Sequence, residues 1–500
     1  QRVFYGDYVH AAGGAFKQCP GAGLAHECCG HHPHRAALLF DAALSADGTV
    51  QKIRPPKGDG NTDNTFIFQS AIDKCSTQKG TIVIPAGEYL TGPLFLKSNV
   101  NILLEQGATI LGSTDLKLYH SIFTQVKGEE PPALLYGANV ENICISGDGT
   151  IDGQGFHRNF QLGDDSQSGV VRPVILYFKN AKNVKVRDLS LRNSAYWVQK
   201  YEACDGIIIR GLKVYSHSNF NNDGLDINGS RNVIISDCFI DTDDDALCFK
   251  SEVKTYSICE NIVVTNCILR SNCNGIKFGT GSMSGFKNVT ISNCTVYKAS
   301  EDNRRHWKQV YPWMGITSDK TVITGIALEC VDGGEMNQIS VSNIIMKDVQ
   351  TPIFIRLGDR RRVFSDKISV LKNIRINNVI ASSESWLASS ITGVLESVVE
   401  NVSISNMQIT SPGGVSKYNC YKKVPENNDG YPENRMFGCI LPASFFYVRH
   451  AKGIIFSNIQ MRTLLTDVRP AFFGENTEDI ICDNCFINGK LVMPESIVNK

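Results

Sequence analysis

Asn232-Val-Ile-Ile-Ser-Asp-Cys-Phe-Ile240 decides the fold of this chain, because the same pattern returns as Asn288-Val-Thr-Ile-Ser-Asn-Cys-Thr-Val296 and Asn401-Val-Ser-Ile-Ser-Asn-Met-Gln-Ile409. Apolar and polar residues alternate in each, the period-two signature of a strand with one buried face. β-Branched residues fill the repeated positions, and long helical periodicity is absent. Copies open at Asn183, Gly206, Asn232, Asn261 and Asn288, and again at Gln338, Asn373, Asn401, Gly453 and Asp479. A unit of roughly 20–30 residues is too short to bury its own apolar face and does so by stacking on its neighbours.

A polar corner follows each strand, at Asp237, Asn266, Asn293, Asn343, Asn378, Asn406, Asn458 and Asn484. Asn and Asp tolerate left-handed backbone angles and bond neighbouring main chain, so a column of them turns every coil in the same way. The expected fold is all-β, a right-handed parallel β-helix with a short N-terminal capping helix over Phe66 to Cys75. The cap protects the open strand edges of the first coil. Strands are expected at Gly80-Thr-Ile-Val-Ile-Pro, Tyr89-Leu-Thr-Gly-Pro-Leu and Asn101-Ile-Leu-Leu, with the coils proper from about Asn142.

Residues 1–50, rich in Gly, Ala, His and Cys, have no assignable structure; 51–500 are expected as a single β-helical domain, since a solenoid lengthens by adding coils. Cys238, Cys267, Cys294 and Cys485 each follow a corner and read as small buried hydrophobes. Seventeen cysteines cannot all pair within the chain. Cys420 and Cys439 are the better disulfide candidates. Cys19, Cys28 and Cys29 lie beside His26, His31, His32 and His34 but match no standard zinc spacing, so no zinc knuckle is expected there.

Fifty basic and fifty acidic residues balance, which gives nucleic acid or an anionic membrane no global attraction. No apolar run approaches the ~20 residues that span a bilayer. The N-terminal Gln1-Arg-Val-Phe-Tyr-Gly has no signal-peptide character, and the expectation is a secreted or periplasmic monomer whose leader is absent from this chain.

Two coils carry long insertions, Tyr297 to Thr321 and Ser411 to Phe437. The first holds Arg304, Arg305, His306, Trp307, Lys308, Tyr311 and Trp313; the second holds Tyr418, Tyr421, Tyr431 and Arg435. Insertions in repeat proteins tend to gather on the binding face, and rings with guanidinium groups suit an anionic sugar. The alternative is that the aromatics tuck against the barrel.

Asp223 and Asp244 lie 21 positions apart, close to one coil, and Asp245 adds a third carboxylate with Asp226 and Asp243 nearby. Stacked coils are ~4.8 Å apart, so these carboxylates are expected as neighbours. Such crowding costs energy unless a proton is shared or a cation intervenes. A shared proton suits an inverting glycosidase, in which one carboxylic acid protonates the leaving oxygen while others activate water.

Asn222-Asp223-Gly224, then Asp244-Asp245, then Asn272-Cys-Asn-Gly-Ile-Lys-Phe-Gly-Thr280 resemble the successive signatures of the polygalacturonase-like glycoside hydrolases, family 28. The resemblance runs from the Gly58-Asp-Gly region to Arg449-His450. It implies Asp244 as general acid, Asp223 and Asp245 as the pair that positions and deprotonates water, a polysaccharide substrate, and neither metal nor cofactor. Two departures stand out. Cys273-Asn274-Gly275 replaces Gly-His-Gly, and Ala327-Leu328-Glu329 replaces Arg-Ile-Lys, a pattern similar to a divergent, largely bacterial branch.

Asn274, Lys250, Lys277, Arg356 and Arg449 are the expected substrate-binding residues, with Lys250 and Lys277 stacked on adjacent coils as replacement cations. The function expected is hydrolysis of a pectic or other uronide polysaccharide. The alternatives are a calcium-assisted β-helical lyase and a non-catalytic carbohydrate-binding solenoid.

Overall fold

In the computed structural model, one residue per coil runs down the interior in unbroken register. Val184, Ile207, Val233, Ile262, Val289, Ile339, Ile374, Val402 and Ile454 pair in parallel from strand to strand. Each is at most 1 % exposed. The structure describes residues 55–123, 131–161, 170–252, 257–300, 307–360, 367–417 and 423–493, with short strands at 37–38, 43–44, 50–51 and 498–499. Residues 36–500 form one unit. Nearly all of its strand pairs are parallel, and the crossovers make it a right-handed parallel β-helix. Aromatic pairs stack inside as well, Phe249 on Phe278 at 4.5 Å and Phe446 on Phe472 at 5.4 Å.

The corners behave as the asparagine pattern requires. Asp237, Asn266, Asn293, Asn343, Asn378, Asn406, Asn458 and Asn484 all have φ between 50° and 59°. Their amides form a ladder along the coils: Asn343 donates to Asn293 at 3.0 Å, Asn378 to Asn343 at 2.8 Å and Asn484 to Asn458 at 2.7 Å. The opening residues make a second column. Asn183, Asn232, Asn261, Asn288, Gln338, Asn373, Asn401 and Asp479 also have positive φ. Cys238, Cys267, Cys294 and Cys485 are buried free thiols.

The capping helix is longer than the sequence suggests, Thr65–Gln78, and buries Phe68, Ala71, Ile72 and Cys75, a spacing that forms one helical face. Lys79 ends it in the left-handed conformation. The coils also begin well before Asn142. Thr81–Ile84 already pairs in parallel with Asn101–Leu104, and Gly87–Thr91 with Ala108–Gly112. Their alternation is only four or five residues long, which is why the repeat is faint there. The Cys and His cluster of residues 19–34, Arg304, Arg305, His306, Tyr418, Cys420 and Tyr421 lie outside the described residues.

Candidate active site

Leu225–Asn228, Leu247–Ser251, Asn274–Ser282 and Val322–Cys330 are successive rungs of one sheet. Leu225, Leu247, Ile276 and Ile326 pair in register and face the core. One residue along each strand, Asp226, Cys248, Lys277 and Ala327 pair on the opposite face.

The carboxylates come from the corners just before these strands, and main-chain bonds between coils fix them. Gly224 N–H donates to Asp245 O at 2.9 Å, Asp243 N–H to Ser216 O at 3.0 Å and Ala246 N–H to Asn274 O at 2.9 Å. Gly224 is required by proximity, since a Cβ there would sit 2.4 Å from Ile240 and 2.6 Å from Ala246 O. Asn222, fully buried, ties the preceding loop together. Its Oδ1 accepts from Ser218 and Asn219 N–H at 2.9 and 3.0 Å, and its Nδ2 donates to Ser194 O and Tyr196 O at 2.9 and 2.8 Å. In the sequence Asn222 shows only as the residue before Asp223, and no local pattern signals this tie.

Three carboxylates thus meet in different surroundings. Asp223 is 4 % exposed and Asp226 fully buried; one ammonium, Lys250 Nζ, serves both, 3.1 Å from Asp223 Oδ2 and in direct contact with Asp226 Oδ1. Burial pushes the Asp223 carboxyl well above its usual range; Lys250 opposes this, and Asp226, Asp244 and Asp245 add to it. Burial raises Asp226 too. Two buried carboxyls facing one ammonium titrate as a pair, each pushed above the usual carboxylate range. Asp245 accepts from Asn274 N–H at 3.1 Å, Asn274 Nδ2 at 2.7 Å and Lys277 Nζ at 3.0 Å, which fixes its orientation. Asp244 is the more exposed member of the trio.

Asp244 and Asp245 open on a cavity of about 240 Å³ that Asn274 and Lys277 also line. Tyr431, Glu433 and Arg435 close it from the second insertion, so part of that insertion does reach the carboxylate face. Asn434, 3 % exposed, anchors this segment by donating to Ile323 O at 3.0 Å and Thr351 Oγ1 at 3.1 Å. In the first insertion, Tyr311 and Trp313 pack on a small apolar cluster with Met314, Ile316 and Ile323, the tucked arrangement.

Arg356 and Arg449 correct the sequence reading. Both are fully buried; their terminal guanidinium nitrogens bond main chain, while the Nε of each has no hydrogen-bond partner. Arg356 bonds Gly393 O and Asn427 O at 3.0 Å each, and Arg449 bonds Val424 O at 3.0 Å and Pro425 O at 2.9 Å. Burial, then the neighbouring Arg449 charge, lowers Arg356 to about 10. These guanidiniums pin the segment 424–427, which leads into Tyr431 and Glu433. The predicted stacking of Lys250 on Lys277 is also revised, since Lys277 pairs with Cys248 and Lys250 lies two residues further along its strand. The Lys250 ammonium is bound to Asp223 and Asp226, leaving Lys277 as the member of the pair that lines the cavity.

Glu329, at the position of the missing lysine, is 1 % exposed, and burial raises its carboxyl to about 8 against the pull of Lys277, with Asp245 and Glu433 pushing the same way and Arg360 opposing. An unfolded Glu titrates near its ordinary value, so the folded chain holds the extra proton between that value and about 8. Stability from this group is therefore full at acid pH and lost as pH rises towards 8. Glu329→Gln is expected to raise Tm relative to the parent at pH 8 and to leave the difference small at pH 4.5, read by thermal melts across that window. A Tm difference independent of pH would show that Glu329 does not titrate there.

Donor atoms of Asp223, Asp226 and Cys248, and of Asp244, Asp245 and Cys273, lie within 4.8 Å of one another in each group. In the first group Lys250 already bridges the two carboxylates, and in the second Lys277 contacts Asp245. A hard cation such as calcium prefers all-oxygen ligands, which neither group offers.

The site is thus a set of carboxylates that successive rungs of a right-handed β-helix gather at one cavity. The sequence model of glycosyl hydrolases family 28 matches residues 75–310, which include Asp223, Asp244, Asp245, Lys250, Asn274 and Lys277. Over those residues the chain is similar to that family. It is similar to a probable polygalacturonase of Vitis vinifera, 29 % identical over 43 % of this chain and 46 % of that one. It is also similar to an exo-poly-alpha-D-galacturonosidase of Dickeya chrysanthemi, 25 % identical over 47 % of this chain and 48 % of that one. The chain spans about half the length of these two relatives. The crystal structure of a hyperthermoactive exopolygalacturonase from Thermotoga maritima has the same fold, with a TM-score of 0.61 at 20 % identity over 81 % of this chain and 89 % of that one.

Proposed function

We propose that this protein hydrolyses glycosidic bonds of a pectic, uronide-containing polysaccharide with inversion at the anomeric carbon. One observation carries the reading: Asp223 is locked beside Asp244 and Asp245 by the bond from Gly224 N–H to Asp245 O, 2.9 Å across adjacent coils, and two of the three line the cavity. Asp244 protonates the leaving oxygen as the bond breaks. Asp245, oriented by Asn274 and Lys277, and Asp223, steadied by Lys250, hold a water and take its proton as its oxygen joins the anomeric carbon. Proton exchange with solvent restores the starting state. The match to the family 28 model over residues 75–310 and the names of the relatives support the pectic substrate. A polymer of that size is met outside the cytoplasm, so a secreted or periplasmic site of action follows from the same proposal.

The test is incubation with pectic polysaccharides, following reducing ends and ultraviolet absorbance together. New reducing ends without an unsaturated uronide, at a rate indifferent to chelator, are expected. An unsaturated product lost on chelation would establish elimination instead, and binding without any new reducing ends would establish a carbohydrate-binding solenoid.

A further inference from the structure

The cavity beside the acid is built from charges that already answer one another. Among the described residues, its lining carboxylates are Asp244, Asp245 and Glu433, and its lining cations are Lys277 and Arg435. Lys277 is 3.0 Å from Asp245, with both side chains nearly buried, and Arg435 is paired with Glu433. The side-chain amide of Asn274 is given to Asp245 at 2.7 Å. Beside Lys277, Glu329 is 1 % exposed and its Oε2 has no hydrogen-bond partner, so a carboxyl stands where a further cation could have been placed. A substrate carboxylate entering here meets no spare positive charge, since with Asp244 holding the acid proton the two lining cations are each matched by a carboxylate they would have to leave, an arrangement that disfavours an anionic ligand. Ile323 adds an apolar surface of the kind a sugar ring packs on.

Resting on the hydrolase reading above, we propose that this cavity receives a neutral glycosyl unit, a ring bearing hydroxyls and no carboxylate, so that the bond cleaved joins or adjoins a neutral sugar within the uronide chain. Glu433 accepts a hydrogen bond from a ring hydroxyl, and the Tyr431 hydroxyl, 3.4 Å from Lys277 Nζ, lies at the rim. Burial raises the Glu433 carboxyl, with Arg435 and Lys277 opposing, so the pocket disfavours added negative charge even from the protein itself.

The experiment uses trigalacturonate and three analogues, each with one ring's carboxylic acid reduced to the primary alcohol. They are titrated calorimetrically, at fixed ionic strength, into the Asp223→Asn chain, whose cavity-lining charges are unchanged, and offered to the parent enzyme for hydrolysis. Reduction at one ring position is expected to tighten binding about tenfold, and Glu433→Gln in the same background to narrow that gap. Binding that is unchanged or weaker for all three analogues, or no binding by any trimer, overturns the proposal. A binding preference that persists while the parent enzyme cleaves none of the four would instead remove the hydrolase reading and leave the neutral-sugar cavity standing.

Discussion

Asp244→Asn is expected to lower kcat on a cleavable pectic oligosaccharide by roughly 10²–10⁴-fold, the range that a positioned general acid supplies. The loss should appear in kcat with KM nearly unchanged, because the proton is transferred only as the bond breaks. The substitution is also gentle on the fold. Asp244 O accepts from Ser271 Oγ at 2.7 Å, its N–H reaches Asn222 O at 3.4 Å, and its Oδ1 accepts from Asp245 N–H at 2.9 Å. An asparagine keeps the two main-chain contacts and can keep the third through its amide oxygen. Steady-state kinetics with a thermal melt on the same sample checks both halves. A variant that melts like the parent and turns over at the parent rate would remove Asp244 from the chemistry.

Lys250→Met is expected to act on stability, by about 3–5 kcal/mol, the usual consequence of removing one partner from a buried ion pair. Its ammonium, 12 % exposed, is shared by Asp223 and Asp226, and Asp226 Oδ2 already lacks a partner. Burial works against the ammonium, but Asp226, Cys248 and Asp223 outweigh it and keep Lys250 charged. Without it, two raised carboxyls must take up protons or separate. The deficit should therefore shrink as pH falls, since protonating Asp223 and Asp226 removes the uncompensated charge. Adding Asp226→Asn to Lys250→Met should recover part of the loss. Denaturant unfolding at two pH values measures both effects, and a deficit that grows at low pH would refute the role of Lys250 in holding Asp223 and Asp226.

The repeat was legible because its physics is local. An Asn or Asp at a corner declares a left-handed turn whatever surrounds it, and both columns recovered from the sequence have positive φ in the structure. The placing of Asp223 against Asp244 and Asp245 followed from coil length alone. What a basic side chain reaches was not legible. Lys250 and Lys277 look alike in sequence, each leaving the same face of adjacent strands, yet Lys250 turns to Asp223 and Asp226 while Lys277 turns to Asp245 and the cavity.

Arg356 and Arg449 read as open groove cations because the segment that covers them comes from elsewhere. Arg356 meets Asn427 across 71 positions, a contact that no strand pattern reports. Glu433 was missed for the same reason, since it belongs to an irregular insertion seated by Asn434 on Ile323, 111 positions away. Helix ends were short in the reading because Thr65 and Gln78 flank the apolar face without belonging to it.

The central claim, that carboxylates from adjacent coils act together on one water, is tested most directly by proton NMR of the product during the first turnovers on an α-linked galacturonide substrate. The account predicts that the newly formed reducing end appears first as the β-anomer and then mutarotates. First appearance of the α-anomer would mean retention, and with it a covalent intermediate that this arrangement of Asp223, Asp244 and Asp245 does not describe.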